Sequence, residues 1–327
     1  MATKLAALAA IAVALVAVSL FVGPAGLSPR EVVDGLRAGD RHHDIVVNVR
    51  LPRALLAFVV GAALAGSGAV FQGLFRNPLA DPFVVGISGG AALGAVAAIV
   101  SGVEVTVLGL GAVTLSAFAG ALGAAWLVWR LAATGGRVPV TTLLLAGFAV
   151  GAFASAAVSV MLLLNARNWN EILFWMMGSL ERADAWNRVK VAVPFVVLSL
   201  GAVGVFARDL NVMLLGEEPA QQLGVEVERV KKVLLAAGAV SAAVAVAMVG
   251  IIGFVGLIVP HVVRLLVGPD HRVLLPVTVL AGGAFLVAAD LVSRAVLPPA
   301  GLPVGTVTAL AGAPFFILLL RRRTAPR

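Results

Sequence analysis

Chemically able residues are scarce in this chain, and they fall in a few short stretches. The longest runs from Arg208 to Lys232, RDLNVMLLGEEPAQQLGVEVERVKK. In it, Pro219 follows Glu217 and Glu218 in a first-turn position, Ala220 and Leu223 share a helix face, and Gly224 is placed to end that helix. A second short helix is predicted to carry Val227 and Val230 on one side, with Glu228 and Lys232 paired at i,i+4. Two short amphipathic helices joined at a glycine make a knob suited to docking into a separate protein. An ordinary solvated loop with some helical content fits the same pattern. Near the other end of the chain's chemistry stand Arg50 and Arg53, one turn apart beside Pro52. Two cations at a helix N-terminus oppose the macrodipole, so an acidic partner or lipid phosphate is expected to offset them.

The remaining candidates are weaker. Asp290 and Arg294 stand at i,i+4, a spacing that permits a local salt bridge near a helix end. His261 and Arg264 follow Pro260, where a histidine is better suited to satisfying backbone groups freed by a bend than to holding metal. His42 and His43 are adjacent in a loop, and with 4 histidines and 0 cysteines in the chain no metal-ligand cluster can be drawn. No G-x-x-x-x-G-K-[ST] string occurs, so a P-loop nucleotide site is excluded.

The elements that position these residues are set by composition. Of 327 residues, 61% are hydrophobic and 12% charged, and the mean hydropathy is +1.07. A soluble enzyme is excluded, and an all-α polytopic membrane protein is indicated. The net charge of +8 lies in loops and in the tail Arg321, Arg322 and Arg323, which suits membrane orientation rather than nucleic acid. Ten apolar segments are read, at about 5 to 23, 54 to 75, 84 to 101, 105 to 129, 142 to 164, 191 to 207, 233 to 249, 251 to 267, 273 to 297 and 304 to 320. A cleaved signal peptide is the alternative for the first, but its apolar run is long and lacks an A-x-A site. The segment after Ile251 is broken by Pro260, His261 and Arg264 and is expected to be a short helix. Trp169, Trp175 and Trp186 mark an outer loop with an interfacial helix around Ile172 to Leu180 and headgroup anchoring. A slight excess of Lys and Arg places both termini on the cytoplasmic side.

Most of these segments carry no ionisable residue. A charge at the helix centre costs roughly 2.5 to 3.5 kcal/mol or more, so an ion-coupled secondary transporter keeps such groups only where it uses them. The charge-free helices disfavour that class, and the driving force for any transport is expected from outside the chain. Small residues recur every four positions at Gly86, Gly90 and Gly94, and at Gly147, Gly151, Ser155 and Ser159. Such faces pack helices closely or line a wide path, and the second stripe, ending in two hydroxyls, is the better pathway candidate.

The strings RLPR, GAALAGSGAVFQGLFRNPLADPFVVGISGGAALG, FWMMGSL, LGEEPAQQLGV, GFVGLIVPHVVRLLVGPDHRVLLP, ADLVSR and LPVGTVTALAGAPFFILLL together resemble the FecCD-type permeases of ABC importers for iron-siderophores, haem and cobalamin. The resemblance spans about residues 45 to 323. It implies a single permease domain over 1–327 with ten transmembrane helices, the type II ABC importer permease fold, in the cytoplasmic (inner) membrane. It also implies partners: two cytoplasmic ATPase subunits, one extracytoplasmic solute-binding protein, and a second permease copy in a homodimer. ATP hydrolysis would then belong to a separate subunit, and no cofactor is implied.

Residue by residue, Gly216, Glu217, Ala220, Leu223 and Gly224 match the family's coupling helix, which docks on the ATPase. Arg50, Arg53 and Arg294 match the arginines that meet glutamates of the binding protein. Asn77 and Leu79 match the inner-gate turn. Thr141 and Thr142 fall at the second gate element, where Val138-Pro139-Val140 departs from the family's pattern. His261 and Arg264 match its P-H-x-x-R string. The implied cargo is a bulky metal chelate, a ferric siderophore first, with haem or cobalamin as alternatives.

Overall fold

The structure, a computed structural model, describes residues 2–181, 184–297 and 301–324; the side chains of Arg321, Arg322 and Arg323 lie outside the described residues. Apolar runs this long can satisfy their backbone polar groups within a bilayer only as helices or as a closed barrel. The chain takes the helical solution. The first half comprises α1 (Ala2–Phe21), α2 (Pro29–Asp34), α3 (Leu51–Leu74), α4 (Ile87–Ser101), α5 (Ala112–Ala132), α6 (Val140–Leu164) and α7 (Trp169–Met176). The second half comprises α8 (Ala185–Val205), α9 (Ala207–Met213), α10 (Glu217–Gln222), α11 (Val227–Val249), α12 (Val255–Val267), α13 (His271–Val296) and α14 (Val304–Thr324). Among the described residues, 6 helices are long and apolar enough to cross a membrane, and shorter apolar helices occupy Leu5–Phe21, Ile87–Ser101, Val255–Val267 and Val304–Ile317. Each of the ten expected segments thus coincides with an apolar helix.

The axis of the bundle is α3, whose residues are buried without a break from Val60 to Leu74. It packs against α8, α11, α12 and α13, while α4, α5 and α6 form a neighbouring group. Backbones come together at glycine pairs. A Cβ on Gly61 would run into the carbonyl of Gly282, and one on Gly68 into the carbonyl of Gly256. The stripe Gly90 and Gly94 serves the same end, meeting the backbones of Gly120 and Ser116 on α5. With lipid as apolar as the helices themselves, such close van der Waals contact is what drives association.

Several boundaries differ from the sequence reading. Thr106–Val107 pairs with Leu110–Gly111 in a two-residue hairpin ahead of α5. Leu108 and Gly109, both at positive φ, make its turn. Val107, Leu108 and Leu110 are as apolar as a membrane segment, so hydropathy alone absorbed them into a helix. Helix α8 starts at Ala185, taking Arg188 and Lys190 into its first turns. Helix α12 has 13 residues, roughly 20 Å at 1.5 Å per residue, and is short of the hydrocarbon thickness as expected. The chain before it, 250–254, is non-helical and packs on the backbone near Trp175 and Gly178. Irregular backbone at this depth is tolerated because protein covers it.

The tryptophans correct another expectation. Helix α7 lies near the place foreseen for an interfacial helix, but Trp175 is 4% exposed and belongs to the core. Trp186 donates its indole N–H to the Val47 carbonyl at 2.9 Å. These two act in packing, and Trp169 alone of the three is exposed.

Candidate functional site

At one end of the bundle, α9, α10 and the first turns of α11 form a knob. Gly216, at φ +125°, turns the chain into α10, and Gly224, at φ +86°, turns it out, the helix end expected of that glycine. The second short helix is instead the beginning of α11, which runs on without interruption from Val227, with Val227 and Val230 buried. The expected pair Glu228–Lys232 does not form. Lys231 takes the bond, its Nζ 2.9 Å from Glu228 Oε1 and 2.8 Å from Glu217 Oε2. Helix geometry allows i,i+3 as well as i,i+4, and the amine on the buried side was the one with two carboxylates to meet. Ala220 and Leu223 do not share a buried face. Ala220 is fully buried while Leu223, the C-cap, is 65% exposed, and Leu215 just before the knob is 68% exposed.

Asn211 on α9 anchors the knob to α13. It donates to Asp270 Oδ1 at 2.6 Å and accepts from the His271 N–H at 2.8 Å. Asp270 caps α13 through the Arg272 N–H, and that bond, with the Asn211 amide, holds its carboxylate below the usual range.

Beside the knob lies the turn between α3 and α4. Asn77 accepts from the Leu79 N–H at 3.0 Å, making an Asx turn; of the two side chains expected at a gate, Asn77 is exposed and Leu79 half-buried. Asp81 caps the 3-10 turn Pro82–Val85 through the Phe83 N–H at 2.8 Å. Burial pushes the Asp81 carboxyl up to about 6, against that hydrogen bond, which lowers it. The folded chain therefore keeps a proton there that the unfolded chain, with a carboxyl near 3.8, gives up. Stability should fall as pH rises from about 4 to about 6, and Asp81→Asn should flatten that part of the profile. Thermal unfolding in detergent across this window checks it; an unchanged slope in the variant would assign the effect elsewhere.

Thr141 and Thr142 occupy the first turn of α6, Thr141 exposed. Along α6 the four small residues divide. Gly147 is buried against the Val84 backbone, which a Cβ would strike, and so serves packing. Gly151 faces open space, and Ser155 and Ser159 are exposed, joined by a bond from Ser159 Oγ to the Ser155 carbonyl at 2.9 Å. Phe83, Val84, Ser88, Gly89, Gly151 and Ser155 line a shallow groove. His261 is buried in α12, and Arg264 reaches the Gln72 side chain at 3.3 Å. Among the described residues no group of His, Cys, Asp or Glu is arranged to hold a metal ion.

At the opposite end, Arg50, Arg53 and Arg294 come together as the sequence suggested, but for another reason. A π-helical turn, Asp44–Arg50, runs directly into α3, so neither Arg50 nor Arg53 stands at a helix N-terminus. The acidic partner is internal. Asp290, fully buried, takes Arg53 on one oxygen at 2.9 Å and Arg294 on the other at 3.0 Å. The arginines then cap the C-terminal end of α1. Arg50 donates to the Leu20 carbonyl at 2.6 Å; Arg294 donates to those of Ser19, at 3.2 Å, and Val22. Cations at a helix C-terminus complement the macrodipole, the reverse of the conflict expected from sequence. Arg53 keeps 18% of its side chain exposed, while Arg294 keeps 6%. Arg53, Glu181 and Arg294 open onto a small surface pocket.

Two charged residues that matter were not singled out in the sequence. Lys231 is 2% exposed, and Arg188 is 8% exposed between Asp184, at 2.7 Å, and the Met248 carbonyl at the end of α11. Their only signal was a cation at the margin of an apolar run, beside Lys232 in one case and near Lys190 in the other, which solvated loop residues share.

Known proteins of like sequence and shape bear on this architecture. The chain is 53% identical over 279 residues to a cobalamin import system permease protein, BtuC, of Halobacterium salinarum, covering 85% of this chain and 74% of that one. It is 39% identical over 306 residues to the Fe(3+) dicitrate transport system permease protein FecD of Escherichia coli, covering 93% of each. With the hemin transport system permease protein HmuU of Yersinia pestis it shares 40% identity over 289 residues, covering 86% of this chain and 85% of that one. A solved metal-chelate type ABC transporter, in an inward-facing conformation, superposes with a TM-score of 0.84 at 32% identity, covering 97% of this chain and 98% of that one. The model of the FecCD transport family matches residues 11–322, so this multi-pass membrane permease belongs to the FecCD transport family.

Proposed function

We propose that the chain is the membrane-spanning subunit of an ATP-driven importer for a bulky metal chelate. The observation that carries this reading is the knob: a structured, charge-braced projection that leaves Leu215 and Leu223 bare outside an apolar bundle. Exposed leucines on an ordered polar element call for a partner groove, and a cytoplasmic ATPase is that partner. With the knob cytoplasmic, both termini lie inside and the arginine cluster faces outward. Arg50, Arg53 and Arg294 carry three cations against the carboxylates of Asp290 and of Glu181 at the pocket, and this surplus suits glutamates of a solute-binding protein. Of the three, Arg53 is the most accessible to such a partner.

Helix α6 leaves Gly151, Ser155 and Ser159 uncovered, and a second copy of the permease placed against it would enclose them as a path between two subunits. Asn77, Leu79, Thr141 and Thr142 would close that path at the knob end. Ion-coupled transport is less well supported, because Asp290, the buried carboxylate at the arginine end, is neutralised by two arginines rather than free to carry protons.

Relatives named for cobalamin, ferric citrate and hemin share the family, and the one sharing 53% identity is named for cobalamin, so cobalamin is the first cargo to try, ahead of ferric siderophore and haem. The test is ATP hydrolysis and uptake by the permease reconstituted in lipid with the ATPase and binding protein encoded beside it. Stimulation by one chelate identifies the cargo. An assembled complex indifferent to all three overturns the substrate class, and failure to assemble overturns the reading of the knob.

A further inference from the structure

Lys231 is a lysine almost wholly withdrawn from water, with 3% of its side chain exposed, and it touches three separate segments. An ammonium has three protons to donate, and each has an acceptor. Glu217 Oε2, at 2.8 Å, begins α10; Glu228 Oε1, at 2.9 Å, lies on α11; the Val138 carbonyl, at 3.1 Å, belongs to the loop leading into α6. Glu228 then returns to the same loop, its Oε2 accepting the Val138 N–H at 3.2 Å. Both backbone polar groups of Val138, itself buried, are therefore held by the one ion cluster.

What lies on either side of the clamp gives it a direction. The loop is stiff: Thr134 and Arg137 bridge each other through both backbone bonds, and Pro139 alone separates Val138 from the first residue of α6. Proline holds its φ near −65°, so little can be absorbed between the clamp and the helix. On the opposite side, Glu217 is the first residue of α10, directly after the left-handed Gly216. A displacement of α10 thus reaches α6, with Thr141, Thr142, Gly151, Ser155 and Ser159, by way of a single amine.

We propose that Lys231 is the positioning residue that transmits movement of α10 to α6, an assignment that rests on reading α10 as the ATPase contact. A lysine retained for packing alone would need one carboxylate. This one joins three segments at the place where driving force and path meet, and its ammonium, 3% exposed, would be costly to leave there without its carboxylates.

The chain has 0 cysteines, so pairs of introduced cysteines report cleanly. Spin labels at Gln221→Cys and Thr134→Cys, both exposed positions, measure the separation of α10 from the loop in the permease alone and in the complex with its ATPase. The parent should give one narrow distance that ATP does not change, because the two segments move together. In Lys231→Met the distribution should broaden, and ATP should shift it. In vesicles holding the whole complex, the same variant should hydrolyse ATP while the chelate moved per ATP falls about ten-fold, a loss of the size expected when two linked sites are uncoupled. Pro139→Gly leaves the ion cluster intact and inserts a flexible joint beyond it. It should keep the narrow distance yet also lower transport per ATP, which tells transmission from mere loss of packing.

A narrow, ATP-insensitive distance in Lys231→Met, or parental transport per ATP in both variants, would overturn the assignment. Should Lys231→Met fail to fold, the Pro139→Gly ratio decides. A parent complex that hydrolyses no ATP would instead tell against the importer reading, and the label distances in the permease alone would still test the clamp.

Discussion

Replacing Asp290 by Asn should destabilise the folded permease by about 3–5 kcal/mol, because it removes the shared anion from a buried triad and leaves two guanidinium groups unpaired. Exposure sets the size of the effect. Asp290 and Arg294 side chains are 1% and 6% exposed, whereas Arg30 and Asp34, at 94% and 44%, form a surface pair worth about 0–1 kcal/mol. The loss should also reach α1, since Arg294, positioned by Asp290, holds the Ser19 and Val22 carbonyls. Thermal unfolding in detergent, with proteolysis between α1 and α3 as a second readout, checks both expectations. Asp290→Leu combined with Arg53→Met and Arg294→Met should recover part of the loss, because a buried ion triad replaced whole is far less harmful than one broken. A midpoint unchanged in Asp290→Asn would mean that water, rather than the carboxylate, solvates the arginines.

The double substitution Leu215→Ser with Leu223→Ser should abolish capture of the ATPase while leaving the permease's own stability unaltered. The two side chains are 68% and 65% exposed, so their removal costs the isolated fold little. In a partner's groove each would contribute about 1.5–3 kcal/mol. Losing both weakens association by on the order of a hundred-fold or more, at 1.4 kcal/mol per factor of ten. Co-purification and a binding titration of the ATPase against the two forms measure this. Undiminished binding with an unchanged unfolding midpoint would move the contact off the knob. Glu217 should behave differently from these leucines, since it faces Lys231 inside the chain and its loss acts on the knob's attachment.

Much of this organisation was legible in the residues. Apolar runs located every long helix, because a helix that crosses lipid must be hydrophobic along its length whatever its neighbours are. Gly224 marked the end of α10, because only a residue without Cβ adopts its φ cheaply. The short, proline-containing α12 was also foreseen. The hairpin at Thr106 to Gly111 was not, since Val107, Leu108 and Leu110 satisfy hydropathy equally as strand or span.

The charged residues separate the two levels most clearly. Composition and spacing by themselves determined a polytopic helical membrane protein with a polar knob outside its apolar segments, because the bilayer penalises polar groups locally, residue by residue; the permease and its set of arginines came from the family resemblance. The local pair Asp290–Arg294 was readable from its i,i+4 spacing, but which other acid met which base was decided only by the fold. Asp290 lies 237 positions from Arg53, and Lys231 lies 93 from Val138. Helical spacing names several candidates for each cation, and the packing of α3 on α13 and of α11 beside the loop before α6 selects among them. An ion pair withdrawn from water depends on the whole surrounding cage, and that cage does not exist until the helices have closed around it.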